Sequence, residues 1–425
     1  MKQPKIQPFD LKNFDFSQLI ASKQCLTNNL PIYMFSGGTQ EVVRLEFIFE
    51  AGAYYQDKKL LAQAVCSLLT EGTLRFTADE ISEKLDYYGA YIEKYSDRDQ
   101  SSLVIYCLSK YIVKVIEIFE EIIKYPIFPQ KELDIYLTKQ KQKFKIAEQR
   151  VGEVSRKAFF HLVYGDTHPY GSSIQINDFD LLTRADLVRF HKAQYNSVNC
   201  KVVIAGLYNA NLLEILQKYF GGSDWNGTPS ILPTQIDWHA SVDKKQALSL
   251  KGAMQASIRM GKPVPLPSNS DLAEFRIVNY ILGGYFGSRL MKNIREEKGY
   301  TYGISSYLIP LRYSNTWMIS SEVKADTLHL VEDEIYAEME KLASKEVSER
   351  ELEVVRSCYC GEMLRDMDGI FDLAEKMKYH LLYNLDVNYY TDFLQCLMYI
   401  TPERIQAVAK QYFVKESIFE VSVGK

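Results

Sequence analysis

The chain carries one succession of segments twice at a nearly constant spacing, and this constrains its fold more than any single motif. Lys131-Glu132-Leu133-Asp134 opens a long helical segment, and Arg350-Glu351-Leu352-Glu353 opens another 219 positions later. Leu182-Thr183-Arg184-Ala185-Asp186-Leu187 leads through a helix to Gln194-Tyr195 and then to the apolar run Lys201–Gly206. Ile400-Thr401-Pro402-Glu403-Arg404-Ile405 leads to Gln411-Tyr412 and the run Ile418–Gly424, with Thr401 lying 218 positions after Thr183. Two well-separated pairs with almost the same offset mark duplication of a whole domain rather than a short solenoid repeat. Each half of a 425-residue chain is large enough to bury its own core. The turn-forming stretch Gly221-Gly222-Ser223-Asp224-Trp225-Asn226-Gly227 separates the halves. We therefore expect one domain at 1–222, a linker at 223–241 and a second domain at 242–425.

Within the first half, Glu41–Glu50 has a strand pattern, Leu60–Leu69 reads as a buried helix, and Tyr91–Cys107 alternates like a hairpin. Ile112–Ile123 is amphipathic, Thr77-Ala78-Asp79-Glu80 is a helix cap, and Thr183 and Thr401 are N-cap positions. Strands mixed with long helices predict an α+β fold: two homologous αβ domains, each a mixed sheet with helices packed on one face. Fifty basic against 54 acidic residues, a formal charge of -4, argue against a nucleic-acid binder. No apolar signal core opens the sequence and no run is long enough to span a bilayer. Seven cysteines, odd in number and scattered through apolar segments, predict reduced thiols and a cytoplasmic setting. Among six histidines no two stand at helical metal-binding spacing, so no metal site is expected.

Several further segments follow one another in a characteristic order along the chain. They are Ala51-Gly52-Ala53-Tyr54, Glu71-Gly72-Thr73, Phe76–Ile81, Leu85–Ala90, Phe128–Leu133 and His168-Pro169-Tyr170-Gly171. The second half adds Gly283-Gly284-Tyr285-Phe286-Gly287-Ser288-Arg289-Leu290 and Ile294–Tyr302. This succession resembles the pitrilysin/insulinase-like zinc peptidases, in particular short two-domain members such as mitochondrial processing peptidase subunits, and the resemblance implies two αβ domains facing each other across a cleft. Active members carry H-x-x-E-H on the first helix, with two zinc-binding histidines, a Glu as general base and a downstream Glu as third ligand. Anchored on Glu71-Gly72-Thr73, those positions fall on Gln63, Ser67, Cys66 and Lys143. The resemblance therefore implies no metal and no catalytic residue in this chain.

The same resemblance points to Arg295 and Tyr302, seven residues apart, as a clamp on substrate: Arg offers a planar fork of donors and Tyr a phenolic donor. On charge pattern alone Arg295, beside Glu296, Glu297 and Lys298, is also a solvated helix end, and Tyr302 a strand packing residue. Glu93-Lys94-Tyr95-Ser96 falls where relatives present a strand edge to substrate and carry Asn-Ala. The expectation is a non-catalytic subunit of a heteromeric zinc metallopeptidase, supplying Arg295 and Tyr302 to a homologous zinc-bearing partner that cleaves peptides. The alternative is a structural or peptide-binding scaffold with no proteolytic role.

Overall fold

The computed structural model describes residues 21–230, 241–266, 271–386 and 388–424; residues 1–20 and most of the end of the expected linker lie outside them. The first half runs β1 (Ser22–Cys25), β2 (Pro31–Ser36), β3 (Val42–Phe49), α1 (Leu61–Leu68), α2 (Ala78–Tyr87), β4 (Tyr91–Ser96) and β5 (Ser101–Leu108). It continues with α3 (Ile112–Lys124), α4 (Gln130–Ala147), α5 (Val151–Tyr164), α6 (Arg184–Gln194), β6 (Cys200–Gly206) and α7 (Leu212–Phe220). Helix starts follow local chemistry. Thr77 accepts the Glu80 N–H while the Glu80 carboxylate accepts the Thr77 N–H at 2.8 Å, and Thr183 and Asp186 repeat the arrangement.

The second half runs β7 (Lys245–Ser249), β8 (Gln255–Val264), α8 (Asp271–Asn279), β9 (Thr301–Pro310) and β10 (Asn315–Lys324). Then come α9 (Leu328–Ser344), α10 (Glu349–Arg365), α11 (Ile370–Tyr383), α12 (Tyr389–Tyr399), α13 (Pro402–Tyr412) and β11 (Phe419–Gly424). Helix α8 widens into a π-helical turn at Tyr280–Gly284, and a second π-helical turn spans Met291–Glu297. Thr401 caps α13 by accepting the Arg404 N–H.

Two mixed sheets result. The six-stranded sheet has the order β1-β2-β6-β3-β5-β4, with β2 parallel to β6. The five-stranded sheet has the order β7-β11-β8-β10-β9, with β7 parallel to β11. One face of the first sheet packs under α1, α3 and α7 through Leu45, Phe47, Val202 and Ile204. The opposite face is not left to solvent. Helix α11, from the second half, lies on β2 and β6, and Val203 and Ala205 join the second half's apolar cluster with Leu373 and Ala374. Reciprocally, α5 from the first half lies on β8 and β11, burying Phe159, Val163 and Tyr164 with Met318, Phe419 and Val421.

The halves thus exchange one helix each. The run Val202-Val203-Ile204-Ala205, buried at every position, is what a strand covered on both faces requires. Beyond the expected layer of helices on one face, each sheet gains a covering helix from the other half. The stretch after Gly222 is also tied down: Trp225 is buried in the first half's core and donates to the Tyr195 carbonyl at 2.9 Å.

Candidate functional site

Helix α1 forms because Leu61, Ala62, Ala64, Val65 and Leu68 present a buried stripe to the first sheet and to α4 and α6. That stripe leaves Gln63 exposed, turns Cys66 into the core and leaves Ser67 half-buried. Lys143 sits exposed on α4. The Cys66 thiol donates to the Tyr95 carbonyl at 3.2 Å, and burial pushes its pKa up to about 12. At neutral pH it is a thiol, not a thiolate, and so no nucleophile.

A residue of the expected strand edge Glu93–Ser96 occupies the neighbourhood in a role the sequence did not indicate. Lys94, on edge strand β4, donates from Nζ to the Ser67 carbonyl at 2.6 Å and to Thr70 Oγ1 at 2.6 Å. The Glu71 carboxylate lies 4.0 Å away. The last carbonyls of a helix lack intrahelical partners and form the negative end of its dipole, so the ammonium is a cap on α1. Burial lowers the Lys94 pKa, against the opposing pull of Glu71. The buried Tyr136 hydroxyl of α4 faces Ser67, and burial pushes it up to about 12.

Zinc does not fit this donor set. It would need neutral imidazoles and carboxylates, and on α1 it would meet an amide, a hydroxyl and a protonated thiol, with the Lys94 ammonium bound at the helix end. Among the described residues no group of three or more His, Cys, Asp or Glu side chains is placed to hold a metal ion.

Arg295 lies in the π-helical turn Met291–Glu297, partly exposed, with its guanidinium 4.7 Å from the centre of the Phe286 ring. Phe286 is itself 65% exposed, held out between the Gly-Gly-Tyr and Gly-Ser segments. Tyr302 stands at the start of β9, the edge strand of the second sheet, and is 94% exposed. A tyrosine packed into its strand would be covered, so the packing alternative for Tyr302 does not hold. Among the described residues no hydrogen bond or ion pair engages Arg295 or Tyr302, or links them to α1 or α4. Both remain available as donors to something outside the chain. Phe286, which presents the guanidinium, carried only a faint signal in sequence: a large ring flanked by glycines.

Comparison with known proteins places these features in context. The profile of insulinase (peptidase family M16) matches residues 36–168, and that of the peptidase M16 inactive domain matches residues 181–357. The chain is 20% identical over 349 residues to an uncharacterized zinc protease, YmxG, of Bacillus subtilis, covering 81% of this chain and 84% of that one. It is 22% identical over 264 residues to a non-peptidase homolog, YmxG, of Helicobacter pylori, covering 61% and 60%. A crystal structure of a peptidase M16 inactive domain from Pseudomonas fluorescens superposes with a TM-score of 0.85 at 20% identity, covering 95% of this chain and 98% of that one.

Proposed function

This chain belongs to the insulinase-like M16 peptidase family, and from that premise we propose that it is a non-catalytic subunit of a heteromeric zinc metallopeptidase. In this reading a homologous partner supplies the metal, and the present chain supplies Arg295 and Tyr302 to the peptide. One observation supports it most directly: the Lys94 ammonium is bound at the end of α1 beside Ser67, where the resemblance puts a metal ligand, while the Arg295 guanidinium makes no ion pair among the described residues and Tyr302 is 94% exposed in the other half. The division into domains at 1–222 and 242–425 around a linker at 223–241 belongs to the same reading. It is supported by two sheets whose strands come from Ser22–Gly206 and Lys245–Gly424 respectively. Free cysteines throughout the described residues support a reducing, cytoplasmic compartment.

The test is co-expression with a homologue of similar length bearing intact H-x-x-E-H, followed by peptide cleavage with and without chelator. Tyr302→Phe removes one exposed hydroxyl and keeps the ring. If that hydroxyl steadies a developing oxyanion, turnover by the mixture falls roughly a hundredfold. Arg295→Ala raises KM more than it lowers kcat if the guanidinium grips a carbonyl remote from the scissile bond. Thermal melts exclude misfolding. Wild-type cleavage by mixtures containing either variant would replace the clamp with the scaffold reading.

A further inference from the structure

The duplication gives the degenerate metal position a counterpart in the second half. Helices α4 and α10 begin at Gln130 and Glu349, and α5 and α11 at Val151 and Ile370, each pair 219 positions apart. Lys143 therefore corresponds to Glu362. Helix α8 follows β8 as α1 follows β3, so the space equivalent to the metal position is bounded by α8, its π-helical extension and α10. A cavity of about 490 Å³ opens there, and Arg276, Tyr280, Tyr359, Glu362, Tyr389 and Phe393 line it. That volume lies in the range of small-molecule sites, roughly 300–1,000 Å³.

Two opposite charges face this cavity without meeting. Arg276 donates to the hydroxyls of Tyr389 and Tyr359, the latter at 3.2 Å, and its guanidinium lies 4.5 Å from the centre of the Phe393 ring. It forms no ion pair with a carboxylate of the described residues; its helix neighbour Glu274 is taken by Arg404 at 2.5 Å. Glu362 likewise has no ion-pair partner among the described residues and lies beside the Tyr280 and Tyr359 hydroxyls. The other two acids at the cavity are engaged: Asp366 with Lys376 at 3.2 Å, and Glu375 with Arg44. Mutually tilted rings form the walls, with the centroids of Tyr280 and Tyr359 at 4.4 Å and of Tyr359 and Phe393 at 4.9 Å.

We propose that this cavity binds a small zwitterion, a free α-amino acid with an apolar or aromatic side chain. The carboxylate pairs with Arg276, the ammonium turns toward Glu362, and the side chain lies among the rings. A guanidinium fork matches a carboxylate in two parallel hydrogen bonds, and ring faces favour both an apolar body and a cation. The inference does not depend on a protease partner and is tested on the purified chain alone.

Calorimetric titration of the wild-type chain compares L-phenylalanine, N-acetyl-L-phenylalanine, which lacks the ammonium, and L-phenylalaninamide, which lacks the carboxylate. Phenylalanine should bind once per chain, and each derivative about tenfold more weakly or worse, the scale of losing one charge-assisted hydrogen bond. Glu362→Gln should weaken phenylalanine but leave N-acetylphenylalanine unchanged, and Arg276→Gln should abolish both. The derivative series needs no variant, so it decides the matter even if Arg276→Gln fails to fold. Absence of phenylalanine binding at millimolar concentration, or equal affinity for phenylalanine and its amide, would overturn the proposal.

Discussion

At the scale of residues, the first half's chemistry is governed by what Lys94 and Cys66 cannot do. A thiol buried at 2% exposure and pushed up to about 12 reacts through a thiolate that is scarcely populated at pH 8. Alkylation of the native protein at that pH should modify exposed Cys25 well before Cys66, as peptide mapping will show. Fast labelling of Cys66 would mean that α1 opens locally. The ammonium of Lys94 at the end of α1 has a second consequence. Installing the full motif by Gln63→His, Cys66→Glu, Ser67→His and Lys143→Glu should give only weak zinc binding. Like charges a few ångströms apart cost on the order of several kcal/mol even at the effective dielectric of a protein surface. Adding Lys94→Asn should tighten zinc at least about tenfold in a competition titration. Equal affinity with and without Lys94 would show that its charge is irrelevant to the site.

At the scale of elements, the exchanged helices carry the junction between the halves. On β3, Arg44 and Glu46 are almost wholly buried and pair at 2.5 Å, and α11 brings Lys378 to within 2.5 Å of the same Glu46 carboxylate. Burial works against that charge, but the two cations outweigh it and hold the Glu46 pKa below the usual carboxylate range. Removing one partner of a buried ionic cluster leaves the others uncompensated, at a cost of roughly 3–5 kcal/mol. Glu46→Ala should therefore lower the denaturation midpoint strongly. Phe159→Ala, on the other exchanged helix and fully buried, should cost a comparable ~3–5 kcal/mol through the cavity it leaves. Urea titration of each variant measures both. A loss under about 1 kcal/mol for either would mean that the helix contributes little to its foreign sheet.

At the scale of the whole molecule, Asp99 ties the halves together. Its carboxylate accepts the Tyr170 hydroxyl from the first half and the Arg312 backbone N–H from the second, the latter at 2.9 Å. Burial pushes its pKa up to about 6, above the ~3.9 of an unfolded chain. A raised folded pKa contributes stability that is complete below about pH 4 and lost as pH rises through about 6. The difference in stability between wild type and Asp99→Asn, read from melts across that window, should shift by on the order of 2–3 kcal/mol. A flat difference would show that Asp99 titrates normally. The exchange of helices makes a further expectation: the segments 1–222 and 242–425 expressed separately should each expose an uncovered sheet face and associate when mixed. Size-exclusion chromatography of the separate and mixed halves tests this, and two well-behaved monomers that ignore each other would contradict it.

The duplicated order of elements, the capping threonines Thr77, Thr183 and Thr401, the strands β3, β4, β5, β6 and β11 and the α+β class were legible in the sequence because each rests on local chemistry: hydrophobic period, cap residues and turn formers. The absence of histidines at 63 and 67 was equally legible, since ligand identity needs no coordinates. Two other features lay beyond reach. Lys94 meets the end of α1 only because β4 and α1 pack against each other, with Lys94 and Thr70 standing 24 positions apart in the chain. Helices α5 and α11 look like ordinary amphipathic segments of their own halves, and nothing local says which sheet they will cover. Partner choice between surfaces of similar hydrophobicity depends on shape and on burial summed over the whole chain, and only the tertiary structure decides it.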